Sequence, residues 1–492
     1  MKNRIFIILQ LCMIAATLLL AQGCKEDYEM VNPPLMTEED DLDEEVMLED
    51  GLSAYYVTQF GEGNMDGSSW EQAMDVAGFR NLLSGSIDLS ESTIYMSQGK
   101  YVMSEESGPG VTVRKDIKAI LGGYSPVSTG TDVSNRDPKA YETVISGDVN
   151  GNKQADQGDC GLLVVRGGNI CIDGVTFQHG FMSEEDAAAT DFGSGIYVNG
   201  TPANTIIELN DCIIKNCKST ANGGGTKQGG SAIFALSGQI RLTDIQLTNN
   251  ESYGRGGAIR TNGNDVVLFM NRCSVKDNML TGDPNDGGWG LGIQVGAGTL
   301  CMNNTTVMDN TGGSGGAINS DGSLLLINST FIEHADDYEG VIRYNATTGC
   351  ARLINNLVMS EGTTINSINS GGNSSTSQTL FASNGYNFYQ RVLSGFQMAD
   401  TDIQYTDING GVKENGMYVW DVTKQTSITV TYATQKAIIT AAKAYDTPIS
   451  PITNIGEAFA EWVTNADFAV DQRGEHRNPD KMQAGAYDAG LK

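Results

Sequence analysis

Six side chains able to hold a sugar recur at one place in a repeated phrase: Tyr197, Phe234, Arg260, Gln294, Asn319 and Arg343 each directly follow an isoleucine. Flat aromatic rings pack on the apolar faces of sugars, while guanidinium and carboxamide groups bond to hydroxyls and carboxylates. If those isoleucines point into a core, their neighbours point out of it and stand in a line. A second group is cation chemistry. Asp148, Asn150, Asn152, Asp156 and Asp159 place oxygen donors at near-alternate positions of a twelve-residue stretch, the spacing with which a loop of the EF-hand type surrounds Ca²⁺. Lys153 stands where such a loop uses Gly, Asp159 replaces its bidentate Glu, and no amphipathic helices flank it; an Asp/Asn-rich turn is the other reading.

The element that must line up the first group is a repeat. Ile196, Ile233, Ile259, Ile293, Ile318 and Ile342 are 37, 26, 34, 25 and 24 residues apart. Each is answered by Leu209-Asn210, Leu242-Thr243, Met270-Asn271, Met302-Asn303, Ile327-Asn328 or Ile354-Asn355. Short alternating runs broken by Gly and Asn, with a bare period of 24 to 26 residues, predict β-coils stacked into a solenoid. One coil cannot bury its apolar face alone; stacked coils can, at about 4.8 Å per strand. The asparagines read as an inward ladder from Asn210 through Asn271, Asn303, Asn328 and Asn355, broken at Thr243 and begun at Asp173, each carboxamide bonded to its neighbours.

Where the chain runs longer, it does so at one turn. About Phe181 to Phe192, Lys218 to Gly229 and Met279 to Trp289, insertions enter just before the outward column and bring Lys218, Lys227, Asp283, Asp286 and Trp289 to its rim.

These phrases resemble the right-handed parallel β-helix of the pectate-lyase-like superfold, and the Gly-Gly-Ala-Ile stretches at Gly256 and Gly315 are similar to repeats of bacterial polymorphic outer-membrane proteins. The resemblance covers most of residues 53–492 and implies an all-β fold. A helix at Trp70 to Leu83 caps the first coil, and an embellished cap follows the last. Residues 51–90 form the N-terminal cap, 91–400 the coils, and 401–492 the final coils and C-terminal cap, with strands at Met417 to Trp420 and Ile428 to Tyr432 and a helix at Ile455 to Val463. The ending from Asp471 to Tyr487 looks like that of choice-of-anchor surface β-helices and is read here as a structural cap.

Residues 1–24 read as a signal peptide: Lys2 and Arg4 precede an apolar run from Ile5 to Leu20, too short to span a bilayer. Its end, Ala21-Gln22-Gly23-Cys24, is similar to a bacterial lipobox, which implies that Cys24 carries lipid, palmitate included. Residues 25–50 hold twelve carboxylates and one lysine and read as a disordered acidic tether. Lys25-Glu26-Asp27 resembles the tag that sends lipoproteins to the exterior face of the outer membrane. Loss of Lys2 and Arg4 takes the net charge from −29 to −31, which argues against nucleic acid as a partner.

Seven cysteines remain beyond Cys12 and Cys24. Cys212 and Cys273 share a slot with Ile245 and Thr305 and are expected to face inward as small hydrophobes, with Cys212-Cys217 the one close pair worth a disulfide check. With three histidines, His179, His334 and His476, metal and acid–base chemistry is thinly supplied. There is no phosphate loop and no nucleophile elbow. Of the motifs of polygalacturonase-type hydrolases only Asp336-Asp337 and Gln178-His179-Gly180 occur, out of order. Two functions stay open: a surface-tethered, non-catalytic binder of glycans or of host or partner surfaces, and a Ca²⁺-dependent or arginine-based lyase of acidic polysaccharide, with Arg260 or Arg343 as base.

Overall fold

The computed structural model describes residues 52–183, 193–220, 229–282, 289–313, 316–333, 340–360, 368–369, 380–390, 395–404, 411–414, 417–420, 432–447 and 450–487. The signal peptide, Cys24 and the acidic tether lie outside them, as do Lys227, Asp283, Asp286, His334, Asp336 and Asp337.

Each coil visits the same stations in turn, shown here by Ile196–Val198 (sheet 1), Ile206–Asn210 (sheet 2), Ile213–Lys215 (sheet 3) and Lys218–Ser219 (sheet 4). Within these four sheets neighbouring strands pair in parallel from one coil to the next, giving stacks of nine, eleven, eleven and five strands among the described residues. The chain is therefore an all-β parallel β-helix.

In sheet 1, Ile196, Ile233, Ile259, Ile293, Ile318, Ile342 and Ile368 stand directly above one another. All are buried in one continuous core with Leu209, Leu242, Met270 and Met302 from sheet 2 and Ile214, Leu247 and Val275 from sheet 3. Between sheets 2 and 3 the chain turns through a left-handed residue, Asp211, Asp244, Arg272 or Asn304, at φ 48° to 56°. Asn and Asp tolerate that conformation through local side-chain bonding, whereas Arg272 is held by a fork onto Asp244.

The asparagine ladder exists, but it faces the other way. Asn303, Asn328 and Asn355 donate to the coil before at 3.0, 3.0 and 2.8 Å, reaching down to Asn271. Asn271 and Asn303 lie on the outer side with Phe269 and Cys301, opposite Met270 and Met302; Asn328 sits one residue out of strand register. Asn210 meets the Cys171 sulfur at 4.0 Å instead of joining. The inward ladder is a different one. Asn278 Oδ1 accepts both the main-chain N–H and the Nδ2 of Asn250 at 3.0 Å, and Asn310 Oδ1 accepts the same pair from Asn278 at 3.1 and 2.8 Å. A neighbouring inward column runs Cys212, Ile245, Cys273, Thr305, as the spacing predicts, and continues through Ser329, Asn356 and Asn387.

At the N-terminal end the helix begins later than predicted. Trp70–Gln72 is one 3-10 turn, Met74 pairs with Val57, and α1 spans Val76–Ser84 with Asp75 capping the Gly78 N–H at 2.7 Å. It presses Phe79, Leu82 and Leu83 onto the first coils, closing the open core.

The C-terminal segment is not stacked on the last coil. Gln435–Lys443 (α2), Ile455–Trp462 (α3) and Asn465–Phe468 (α4) lie along the flank of sheet 2, covering Val267, Phe269, Cys301, Leu325 and Ile327. Those outward positions are apolar because this segment shields them. Met417–Trp420 is a strand as expected, but it pairs antiparallel with Gly411–Glu414 instead of forming a coil. Most of the strand expected at Ile428 to Tyr432 lies outside the described residues.

Candidate functional site

The outward column of sheet 1 is in register from end to end: Tyr197 against Phe234, then Arg260, Gln294, Asn319 and Arg343. Tyr197 and Phe234 hold their ring centroids 5.4 Å apart, and the Arg260 guanidinium lies 5.6 Å from the Phe234 ring. Beyond it the polar groups form a chain. Asn319 donates to Gln294 Oε1 at 2.7 Å, Asn345 donates to Asn319 Oδ1 at 2.9 Å, and Arg343 Nε donates to Asn345 Oδ1 at 3.2 Å.

This column is not an open platform. Tyr197, Phe234, Arg260, Gln294 and Asn319 are each 2% exposed or less. Tyr197 and Phe234 are closed into an apolar cluster with Val164 and Met182. Pointing away from the core therefore does not here mean facing solvent, and these five residues form a floor that a ligand does not touch directly.

The reachable groups stand at the edges of that floor. Arg255, Trp289, Asp321, Arg343 and Asn345 are all half-buried. Arg255 and Trp289 occupy one turn on successive coils, four residues ahead of Ile259 and Ile293, and the Gly256 N–H ties that turn to the Trp289 carbonyl at 3.0 Å. Asp321 and Asn345 share the next position beyond the opposite end of the strands, where the Asn345 N–H bonds the Ser320 carbonyl at 2.7 Å. Between the two edges, the Trp289 ring has the Arg255 guanidinium 5.0 Å and the Arg343 guanidinium 5.1 Å from its centroid.

Charge and burial compete here. Burial pushes the Asp321 carboxyl above the ordinary Asp value, against the opposing pull of Arg255, a hydrogen bond from Asn345, and Arg343 and Arg260. Burial, then the like charge of Arg255, push the Arg260 guanidinium down to about 10, against the pull of Asp321. The site can stack on an apolar sugar face and pair with a carboxylate through forked donors.

The structure thus brings Trp289 and Arg343 together with three residues that the sequence reading missed, Arg255, Asp321 and Asn345. Arg255 was findable, since it stands before Ile259 as Trp289 stands before Ile293. Asp321 and Asn345 sit three residues after their isoleucines, a second outward position one strand step beyond the column. Lys218, expected at the rim, pairs with Glu251 at 3.0 Å.

Residues 148–159 lie on the connection from sheet 3 to sheet 1, the same edge of the solenoid as Arg255 and Trp289, several coils earlier. His179 is a buried turn residue at φ 57° and His476 is exposed. Cys212 and Cys217 are both free thiols.

No protein-family model matches the sequence, and no curated protein matches it. Among solved structures, the chain is similar to one titled crystal structure of pectate lyase Pel9A, at 13% sequence identity and a TM-score of 0.39, over 89% of this chain and 90% of that one. That likeness carries no chemistry across, and the parallel β-helix is established by the strand registers themselves.

Proposed function

We propose that this chain is a surface β-helix protein that binds an acidic glycan, without chemical change, at the rim formed by Arg255, Trp289 and Arg343. The observation that carries this is the half-buried indole with two guanidiniums about its ring. A sugar ring can stack on the first while a uronate carboxylate meets the others. A hydrolase of the common type needs two carboxyl groups across the bond it cuts. Among the described residues this site offers Asp321. The acidic tether and a lipid at Cys24 complete the reading by holding the solenoid on the exterior of an outer membrane.

Glycan-array binding of the wild-type chain, set against Trp289→Ala and Arg255→Ala/Arg343→Ala, tests the proposal. Binding to uronate-containing chains that the variants lose supports it; variants that bind as wild type overturn the site.

The arginine density keeps one alternative in view, lyase action on the same chains. Arg260 lies in the floor, so Arg343 or Arg255 would have to act as base. Ultraviolet absorbance from an unsaturated product on mixed acidic polysaccharides decides between the two.

A further inference from the structure

The turn at residues 148–159 has a feature that no sugar-binding role requires. Asp148 is 1% exposed, and its Oδ1 has no hydrogen-bond partner. Its Oδ2 accepts from Lys100 Nζ at 2.5 Å and from the Lys153 N–H at 3.3 Å, so one oxygen of the buried carboxylate is satisfied. A buried carboxylate oxygen without a donor is costly unless a cation completes it.

The rest of the turn shows what kind of cation fits. Counting Asp148 as the first position, Asn150, Asn152, Asp156 and Asp159 are the third, fifth, ninth and twelfth, and the seventh, Gln154, can offer its carbonyl. Asn150 Oδ1 accepts the Asn152 N–H at 3.0 Å and Asn152 Oδ1 accepts the Gln154 N–H at 2.8 Å. Asp159 Oδ1 reaches back to the Val149 N–H at 2.9 Å, drawing the twelfth position to the second. The sixth position, where Gly is usual, is Lys153, and it adopts the left-handed conformation regardless, at φ 65°. The substitution that spoke against a cation loop in the sequence has not changed the backbone.

Among the described residues no three His, Cys, Asp or Glu side chains already stand as a metal cage. Here Asp156 is held by the carboxamides of Asn150 at 2.9 Å and Asn152 at 2.7 Å. A hard cation draws half its oxygens in such a loop from carboxamides and main chain, and turning those two amides over presents oxygen in place of nitrogen, exchanging their bonds to the Asn152 and Gln154 N–H groups for ligation of the ion. We propose that residues 148–159 bind one Ca²⁺, with Asp148 Oδ1, Asn150, Asn152, Asp156 and Asp159 as side-chain ligands. The ion would pin the connection from sheet 3 to sheet 1 at the N-terminal end of the edge that carries Arg255 and Trp289. Mg²⁺ demands a tighter octahedron and suits this loop poorly.

The experiment is thermal unfolding and calorimetric titration of the full chain after chelation, with Ca²⁺ or Mg²⁺ as the added ion. The expected result is a Ca²⁺-dependent rise in melting temperature with heat of binding in roughly the 10⁻⁴–10⁻³ M range of extracellular sites, and little response to Mg²⁺. Asp156→Ala, at the partly exposed side of the turn, should fold and lose the response, while Gln154→Ala, which keeps its carbonyl, should retain it. Absence of Ca²⁺ heat and of any melting shift in the wild-type chain overturns the site. So does a shift that survives unchanged in Asp156→Ala.

Discussion

Arg343 reaches back across two coils to place its guanidinium 5.1 Å from the ring of Trp289. Neither residue has a reason to meet the other in sequence. They meet because coils of unequal length return to one register, at about 4.8 Å per strand. The first prediction follows from that meeting. Trp289→Ala should weaken binding of acidic oligosaccharide by ~10-fold or more, about 1.4 kcal/mol, with little change in melting temperature. Phe234→Ala, one of the buried floor residues, should do the reverse and act chiefly on stability. Isothermal titration beside thermal unfolding separates the two, and equal effects of both substitutions on binding would remove the distinction between rim and floor.

The isoleucine column carries the second prediction. Ile259 has Ile233 below it and Ile293 above it, and all three are buried. Ile259→Ala should cost about 2–5 kcal/mol and Ile259→Val about 0.5–1.5 kcal/mol. Denaturant midpoints measure both. A cost for Ile259→Ala below that of Ile259→Val would mean that the stack does not bear on stability.

How much of this was legible beforehand divides along physical lines. The Gly-small-Ile phrases gave the solenoid and the register of sheet 1, because a period shared by many coils averages out local noise. The burial of Tyr197 and Phe234 was not legible, since Met182 and Val164 join them through tertiary contact rather than pattern. The ladder was read with the wrong face: Asn271 looks periodic in sequence, but alternation places it with Phe269, beneath a C-terminal segment that arrives some two hundred residues later. Asn250, Asn278 and Asn310 were overlooked because each follows another Asn or Asp, which masks the column as turn composition.

That inner ladder gives the third prediction. Asn278 spends all its bonding capacity inside. It accepts twice from Asn250, and its Nδ2 donates to Leu247 and Lys276 carbonyls at 3.0 Å and to Asn310 at 2.8 Å. Asn278→Ala leaves the Asn250 donors on the coil below, and acceptors both below and above, unmatched, at about 2–4 kcal/mol. Gln246→Ala, exposed on sheet 3, should stay within about 0.5 kcal/mol. Chemical denaturation of both variants checks the contrast.

Buried thiols supply a fourth. Burial pushes Cys160, Cys212, Cys217 and Cys273 up to about 12, and raises Cys301 and Cys350 as well. Thiolate is the reactive form, so these six should resist a thiol reagent in the native protein at neutral pH and react in denaturant. Fast native labelling at Cys212 or Cys273 would contradict the inward column.

The last concerns how the C-terminal segment sits on sheet 2. Glu208 lies under it, 8% exposed, with Oε1 lacking a hydrogen-bond partner and Trp462 of α3 against its other side. Burial raises its pKa above the ordinary 4.5, outweighing the pull of Arg241 and the Trp462 bond. The sign follows from linkage: a carboxyl that holds its proton more tightly folded than unfolded contributes stability below 4.5 and loses it as pH rises through the folded value. Glu208→Gln cannot ionise, so the gap in melting temperature between variant and wild type should move in the variant's favour as pH climbs from the ordinary Glu value toward neutrality. Arg241 stays charged in both proteins across this range and cancels from that comparison. Melting temperatures measured from about pH 4 to 8, spanning the ordinary Glu value, provide the test. A gap that stays constant would show that Glu208 ionises as freely beneath α3 as in the unfolded chain, and a gap that moves the other way would reverse the sign of the burial argument.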